Sequence, residues 1–375
     1  MTGALLSALL LVSPAAGEGP EVQTLAIGST APDFDLPGVD GRRYSLKDFA
    51  SAKVLVAVFT ATHCPTAQAY EERIQKLHDD YAGRGVALVA ISPNDPLSVR
   101  LDELGYTDLG DSLDDMKLRA QERGFTFPFL YDGETEAVSR KYGPQATPHA
   151  FVFDEQRKLR FAGRIDDGEN PAKIKTQDTR NAIEAVLAGK PVPVETTKVF
   201  GCSIKWSEKR GSVADGLKAW AAEPVSLATV TTGALKELAQ NASDKPRLVN
   251  AWATWCGPCL TEFPELVKIH RMYRGRGLEV VTVSADSPDN RESALKFLKG
   301  QQASTRNLIL DSEDSYALIE ALDKEWPGAL PYTILVAPGG KVIYRSHGAF
   351  DALKLKKAIV GYFGRYYHSV AGVAP

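Results

Sequence analysis

Four cysteines carry most of the chemistry open to this chain, and their spacing is unequal: Cys64, Cys202, Cys256 and Cys259. Cys256-Gly-Pro-Cys259 follows the apolar run RLVNAWATW and opens a helical pattern. A cysteine at a helix N-terminus meets unpaired N–H groups and the positive end of the dipole, which favour thiolate over thiol. Two intervening residues let the second sulfur reach the first within one helical turn. Reversible disulfide chemistry needs this arrangement: an attacking thiolate and a neighbour that resolves the mixed disulfide. In the first half, KVLVAVFTATHCP delivers Cys64 into the same strand-then-helix setting, but Ala67 stands where a second thiol would fall. Zinc is the other chemistry a C-x-x-C pair serves. It wants a second ligand pair, and neither Cys64, Cys202 nor any histidine offers one by spacing.

The elements that must position these thiols occur twice. After Cys64 comes a helical pattern with Tyr70, Ile74, Leu77 and Tyr81 on one face, then GRGVALVAIS, and later ATPHAFVFDEQRKLRFAGRID, which reads as strand, turn at Asp154–Arg157, strand. After Cys256, Leu260, Phe263, Leu266 or Val267, and Tyr273 share a helical face. GRGLEVVTVSAD and LPYTILVAPGGKVIYRSHGAFD then repeat the strand and the hairpin. VSLATVTTGALKELAQ, ahead of the second copy, reads as a strand and a short helix. The expected fold class is α/β, with two tandem domains, each a central mixed β-sheet flanked by helices. The expected domains are residues 24–190 and 225–367, joined by a Pro-, Lys- and Gly-rich linker, 191–224, that contains Cys202.

Composition narrows the partners. A chain of 375 residues is long enough for two cores, and 44% hydrophobic with 24% charged residues is ordinary for a globular protein. A net charge of -3 gives no reason to expect nucleic acid or an anionic membrane surface. Past the N-terminus no segment reaches the ~20 apolar residues of a spanning helix. Residues 1–17 pair an apolar run, Ala4 to Val12, with small residues after it, and read as a signal peptide without the basic start. An extracytoplasmic setting, periplasm or cell envelope, is therefore expected. Four cysteines are too few for a disulfide-stapled scaffold, so reactivity explains their presence better than stapling.

WCGPC after an apolar strand, with Leu330-Pro331-Tyr332 ahead of a later strand, resembles the thioredoxin fold; NAWATWCGPCLTEFPEL resembles its ResA/TlpA branch in particular. That resemblance covers roughly 225–365. It implies Cys256 as nucleophile, Cys259 as resolving thiol, and a substrate groove shaped by Trp255, Pro258 and a cis Pro331. Asn250 takes the place of the buried aspartate of cytosolic thioredoxins, and Glu262 matches an acidic residue of the branch. APDFDLPGVDGRRYSLKDF and CPT resemble the redoxins that include the peroxiredoxins, the alkyl hydroperoxide reductase and thiol-specific antioxidant group, over about 24–190. Thr147-Pro148-His149 parallels Leu330-Pro331-Tyr332. This second resemblance implies an attacking role for Cys64 on peroxide, through a sulfenic acid. Two departures stand against it: Ala61 replaces the family's threonine, and Pro148 falls where the family has arginine. Thr60, Thr62 and Thr66 are the hydroxyls that could substitute.

FGCSIKW resembles the end of some redoxin-like proteins, and loop closure grows only slowly more costly with length. A resolving role for Cys202 against Cys64, a static bridge and no pairing all stay open. The leading expectation is a thiol-disulfide oxidoreductase whose dithiol exchanges with protein disulfides or with its own first domain. Antioxidant activity at Cys64 would be an addition to that role. An unidentified electron donor is implied, and no cofactor or metal. One alternative is a ResA-like protein-disulfide reductase, as in cytochrome maturation, with a degenerate first domain. Another is a copper-binding or scaffolding protein, with Cys64, His63 and His149 as soft ligands.

Overall fold

The computed structural model describes residues 22–312 and 315–367. The expected signal peptide lies outside the described residues.

Sequence patterning explains the first half directly. Its elements are β1 (Asp35–Pro37), β2 (Arg43–Ser45), β3 (Val54–Phe59), α1 (Pro65–Tyr81), β4 (Val86–Ser92), α2 (Leu113–Arg123), β5 (Phe129–Tyr131), α3 (Ala137–Tyr142), β6 (His149–Phe153), β7 (Leu159–Gly163) and α4 (Asp178–Leu187). β1 and β2 pair with each other, and the rest form a five-stranded sheet in the order β5-β4-β3-β6-β7. β3 is parallel to β4 and antiparallel to β6. Every residue of β3 is apolar because both faces are covered. Val54, Val56 and Val58 enter the core under α1 with Tyr70, Ile74, Leu77 and Tyr81, while Leu55, Ala57 and Phe59 enter the core on the other face. The β6–β7 turn closes where expected: the Arg157 N–H donates to the Asp154 carbonyl at 2.9 Å.

The second half comprises α5 (Arg210–Ala221), β8 (Ala228–Val230), α6 (Thr232–Gln240), β9 (Arg247–Trp252), α7 (Gly257–Tyr273), β10 (Glu279–Ser284), α8 (Arg291–Gly300), β11 (Arg306–Leu310), α9 (Ser315–Leu322), β12 (Tyr332–Val336), β13 (Val342–His347) and α10 (Ala352–Phe363). Its sheet runs β13-β12-β9-β10-β11-β8, with β9 parallel to β10 and antiparallel to β12. Both halves thus share a central strand followed by a short loop to a cysteine, a helix capped by that cysteine, and an antiparallel strand entered through a cis X-Pro bond, Thr147–Pro148 or Leu330–Pro331. Within 191–224, read from sequence as a linker, Arg210–Ala221 is helical.

The halves dock through the long connection between β4 and α2. Leu101 and Leu104 pack against the core beneath α7. The Tyr273 hydroxyl, at the last residue of α7, donates to the Thr107 carbonyl at 2.7 Å. Arg276 donates to the Gly105 carbonyl at 3.0 Å and lies 3.8 Å over the Tyr106 ring. The chain leaving α10 crosses back, with Arg365 on the buried Asp108 carboxylate and on Gln68 Oε1. Cys256 lies at the opposite end of α7. At 1.5 Å per residue that is about 25 Å from Tyr273. No helix among the described residues is long and apolar enough to cross a membrane.

Leu55 is fully buried at the centre of the first sheet, whereas Leu97 is 64% exposed. Leu55→Ala is expected to cost about 2–5 kcal/mol and Leu97→Ala no more than about 0.5 kcal/mol, read from the first domain's urea unfolding transition.

Candidate active site

In the second half, β9 delivers Cys256 as the N-cap of α7, its sulfur accepting from the Cys259 N–H at 3.3 Å. Cys256 and Cys259 are disulfide-bonded, with Cα atoms 5.3 Å apart. The loop before them is tied down by Asp286, which accepts from the Thr254 N–H at 3.0 Å and the Thr254 hydroxyl at 2.6 Å. Cys259 is fully buried and Cys256 6% exposed; Trp255 beside them is 68% exposed, and Pro258 is also exposed in the first turn of α7. Pro331 is buried and in the cis form.

Asn250 shares its strand face with Leu248 and Trp252, so its amide is buried under α7. It donates to Glu262 Oε1 and to the Thr333 hydroxyl, each at 2.9 Å. Glu262 Oε2 also accepts the Phe350 N–H at 2.9 Å. Burial raises the Glu262 carboxyl, and these two hydrogen bonds offset the effect only in part, leaving it near 7. A carboxyl one turn after Cys259, poised at neutral pH, can take or return a proton.

In the first half, Cys64 is the N-cap of α1; its sulfur accepts the Ala67 N–H at 3.3 Å and, in the protonated form, donates to the Thr147 carbonyl at 3.4 Å. Cys202 comes to the same place. Its backbone bridges to Thr147, whose N–H donates to the Cys202 carbonyl at 3.0 Å, and its side chain packs against Cys64. Gly201 permits that approach: its φ is +137°, and a Cβ there would lie 2.1 Å from the Thr147 carbonyl oxygen. The following residues are pinned down. Lys205 N–H donates to Asn94 Oδ1 at 2.9 Å, Ser207 N–H to Glu136 Oε1 at 2.6 Å, and Arg210 pairs with Asp95 at 2.6 Å. Outside this pair, the Tyr367 hydroxyl lies 3.9 Å from the Cys202 sulfur.

Burial pushes the Cys64 thiol up, but the Cys202 hydrogen bond, the His63 charge and the Ala67 N–H bring it down to about 6. Its interaction with Cys64, and then burial, push Cys202 well above the ordinary thiol range. The two sulfurs are therefore unlike: one suited to the thiolate, the other to the thiol.

The structure thus brings Cys64 beside Cys202, with Pro148 next to Thr147, and Cys256 beside Cys259 with Trp255, Pro258 and Glu262. It does not bring the two cysteine pairs together. Of the candidate hydroxyls, Thr66 is engaged with Glu169 at 2.6 Å, and the Thr62 hydroxyl is buried without a hydrogen-bond partner. The copper reading finds no support: no three His, Cys, Asp or Glu among the described residues form a metal-sized group. His63 Nδ1 is held by Asp111, and His149 Nδ1 accepts the Gln145 N–H at 3.2 Å. Sequence reasoning missed Asp111, Asn94, Gln68 and the crossing of Arg365 and Tyr367. Apart from Gln68, which sits in the first turn of α1, all reach the centre through long-range contacts without a local motif.

A dithiol capping a helix beside a cis-proline, on a mixed sheet of this order, defines the thioredoxin-fold oxidoreductases. Residues 27–162 and 221–345 each match the AhpC/TSA family, together more than half of the chain. The chain belongs to the AhpC/TSA family. Among curated relatives it is 28% identical over 140 residues to "Thiol-disulfide oxidoreductase ResA" of Geobacillus thermodenitrificans, covering 37% of this chain and 70% of that one. It is 40% identical over 119 residues to the ResA of Oceanobacillus iheyensis, covering 29% of this chain and 53% of that protein. Against the ResA of Bacillus subtilis, 30% identical, it spans about half of that protein's length, 49%. Among solved structures, an uncharacterized conserved protein from Geobacillus kaustophilus is 35% identical, covering 51% of this chain and 98% of that one, with a TM-score of 0.44.

Two expectations follow. Gly201→Ala should push the Cys202 segment off Thr147, so that Cys202 is alkylated faster in the reduced protein while Cys256 is unaffected. Glu262 titrates near 4.5 when unfolded and near 7 when folded, so the folded state holds the extra proton between these values. Its contribution to stability is complete below about 4.5 and lost as pH rises towards 7. Urea midpoints of the second domain should therefore shift in favour of Glu262→Gln, relative to the parent, across that interval. Parallel curves would show that the carboxyl is not perturbed.

Proposed function

We propose that this chain is a thiol-disulfide oxidoreductase with two separate redox pairs, and that its Cys256–Cys259 dithiol serves disulfides of other proteins. The observation that carries this reading is the disulfide at the start of α7, with Cys256 beside the exposed Trp255 and Cys259 fully buried behind it. In the reduced enzyme the Cys256 thiolate attacks one sulfur of a partner disulfide, forming a mixed disulfide and releasing the partner's other sulfur as thiolate. Cys259, with Glu262 accepting its proton, then attacks Cys256. The Cys256–Cys259 bond forms and the second partner thiol leaves. Two electrons have passed to the partner, and an external dithiol reductant must return them.

Cys64 and Cys202 form the second pair in this reading, with Cys64 as nucleophile and Cys202 as resolving thiol. Oxidant is reduced at Cys64, which either becomes a sulfenic acid that Cys202 converts to a disulfide with loss of water, or enters a mixed disulfide that Cys202 resolves. Contact of the two sulfurs and the low Cys64 pKa support it. Because the first domain docks on the Tyr273 end of α7, about 25 Å from Cys256, exchange between the pairs proceeds through another molecule and not directly.

Disulfide mapping tests both parts. The protein is fully reduced, treated with one equivalent of hydrogen peroxide or of a disulfide-bonded protein, quenched by alkylation within seconds, and digested. Peroxide should give Cys64–Cys202 first, with Cys256 and Cys259 still reduced; the protein disulfide should give Cys256–Cys259. A bond between Cys202 and Cys256 in monomeric protein would overturn the separation of the pairs. Undiminished disulfide reduction by Cys256→Ser would overturn the role of the dithiol.

A further inference from the structure

The residue before Cys64 is set differently from the residue before Cys256. Trp255 stands exposed at the rim, whereas His63 is buried against an equally buried carboxylate, with Nδ1 2.5 Å from Asp111 Oδ2 and side-chain exposures of 2% and 0%. The Asp111 carboxylate also accepts the Thr62 and His63 N–H groups on Oδ1 at 2.9 and 3.0 Å, and the Asn94 amide on Oδ2 at 2.7 Å. Four donors converge on one group, which leaves it room to act only as acceptor. It is therefore ionised, and His63 Nδ1 carries a proton. A lone buried carboxylate would be costly; the compensating charge closest at hand is the imidazole itself.

We propose that His63, fixed by Asp111, is a positioning residue whose imidazolium holds the neighbouring Cys64 sulfur as a thiolate, with the Cys202 thiol donating to it.

The other charged groups around the centre do not supply this role. Lys205, on the segment after Cys202, is paired with Glu103 at 2.5 Å, so its charge is largely spent there. Arg365 is paired with Asp108. Burial lowers His63, but the Asp111 charge and hydrogen bond, with the Cys64 thiolate, lift it above its ordinary value; Lys205 opposes this weakly. Thiolate and imidazolium thus support each other through charge, while the Ala67 N–H at the start of α1 donates directly to the sulfur.

The inference rests on Cys64 acting as a nucleophile, so the test reads its ionisation and its chemistry separately. In the full chain carrying Cys256→Ser and Cys259→Ser, ultraviolet thiolate absorbance is followed against pH after reduction. The unsubstituted His63 background should show one thiolate appearing near 6. His63→Gln should raise that midpoint part of the way towards the ordinary thiol value of about 8.5 and so lower the thiolate population at neutral pH, since Cys202 and the Ala67 N–H still favour the thiolate. Asp111→Asn should shift it in the same direction. An unchanged midpoint in a variant whose circular dichroism matches the parent overturns the proposal. Should both variants unfold, the protein with native His63 decides the matter. Histidine NMR titration should show the His63 midpoint falling in Cys64→Ser, because coupling between two sites is reciprocal. A His63 midpoint indifferent to Cys64 overturns it. Disulfide mapping of the same background is independent: an intact low thiolate midpoint with no Cys64–Cys202 bond under peroxide sinks the redox-pair reading and leaves His63's role standing.

Discussion

A buried carboxylate holding the loop ahead of each cysteine is the constraint on which both centres depend. The loop must turn from a fully buried strand into a helix, and its N–H groups have no partner in either element. In the second half Asp286, two residues past Ser284 at the end of β10, takes the Thr254 N–H and hydroxyl. The corresponding position in the first half, two past Ser92, is Asn94. It cannot supply the charge, and the acceptor role passes to Asp111, carried in on the long connection before α2. Asn94 then binds Asp111 with its amide nitrogen and the Lys205 N–H with its oxygen. One side chain thereby fixes both the loop bearing Cys64 and the segment bearing Cys202.

This relocation changes the chemistry of the turn. Asp286 takes Thr254 and the Ser284 hydroxyl, and no bond to residue 255, so the residue before Cys256 is free to be a large exposed aromatic. Asp111 reaches deeper, and the residue before Cys64 becomes a buried, polar imidazole. The same strand–helix plan thus yields one thiol at an open rim and another enclosed with its partner. Gln68 extends the enclosed set: its amide donates to the carbonyls of His63 and Tyr106, and its oxygen accepts from Arg119 and Arg365. The cysteine loop and the junction between domains therefore share a side chain.

The fold was legible in the sequence because it is written in local periodicity. The all-apolar β3, the Tyr70-Ile74-Leu77-Tyr81 stripe and the two terminal hairpins each announce their element. The Cys256–Cys259 pair was legible for the same reason, its spacing being a property of one helical turn. The helix within 191–224 was not, because Gly211 and Gly216 weaken its pattern and Trp220 is its only buried residue. Asp111 was invisible as well. It lies 48 residues from His63 in sequence, and only the tertiary path of the β4–α2 connection makes it a neighbour. Cys202 could be suspected but not placed, since Gly201 and the anchors at Asn94, Asp95 and Glu136 act only once the sheet exists.

The docking of the first domain on the Tyr273 end of α7 fixes stoichiometry as well as geometry. Each molecule carries one cysteine centre of each kind, so their ratio cannot drift with the amounts of two separate proteins.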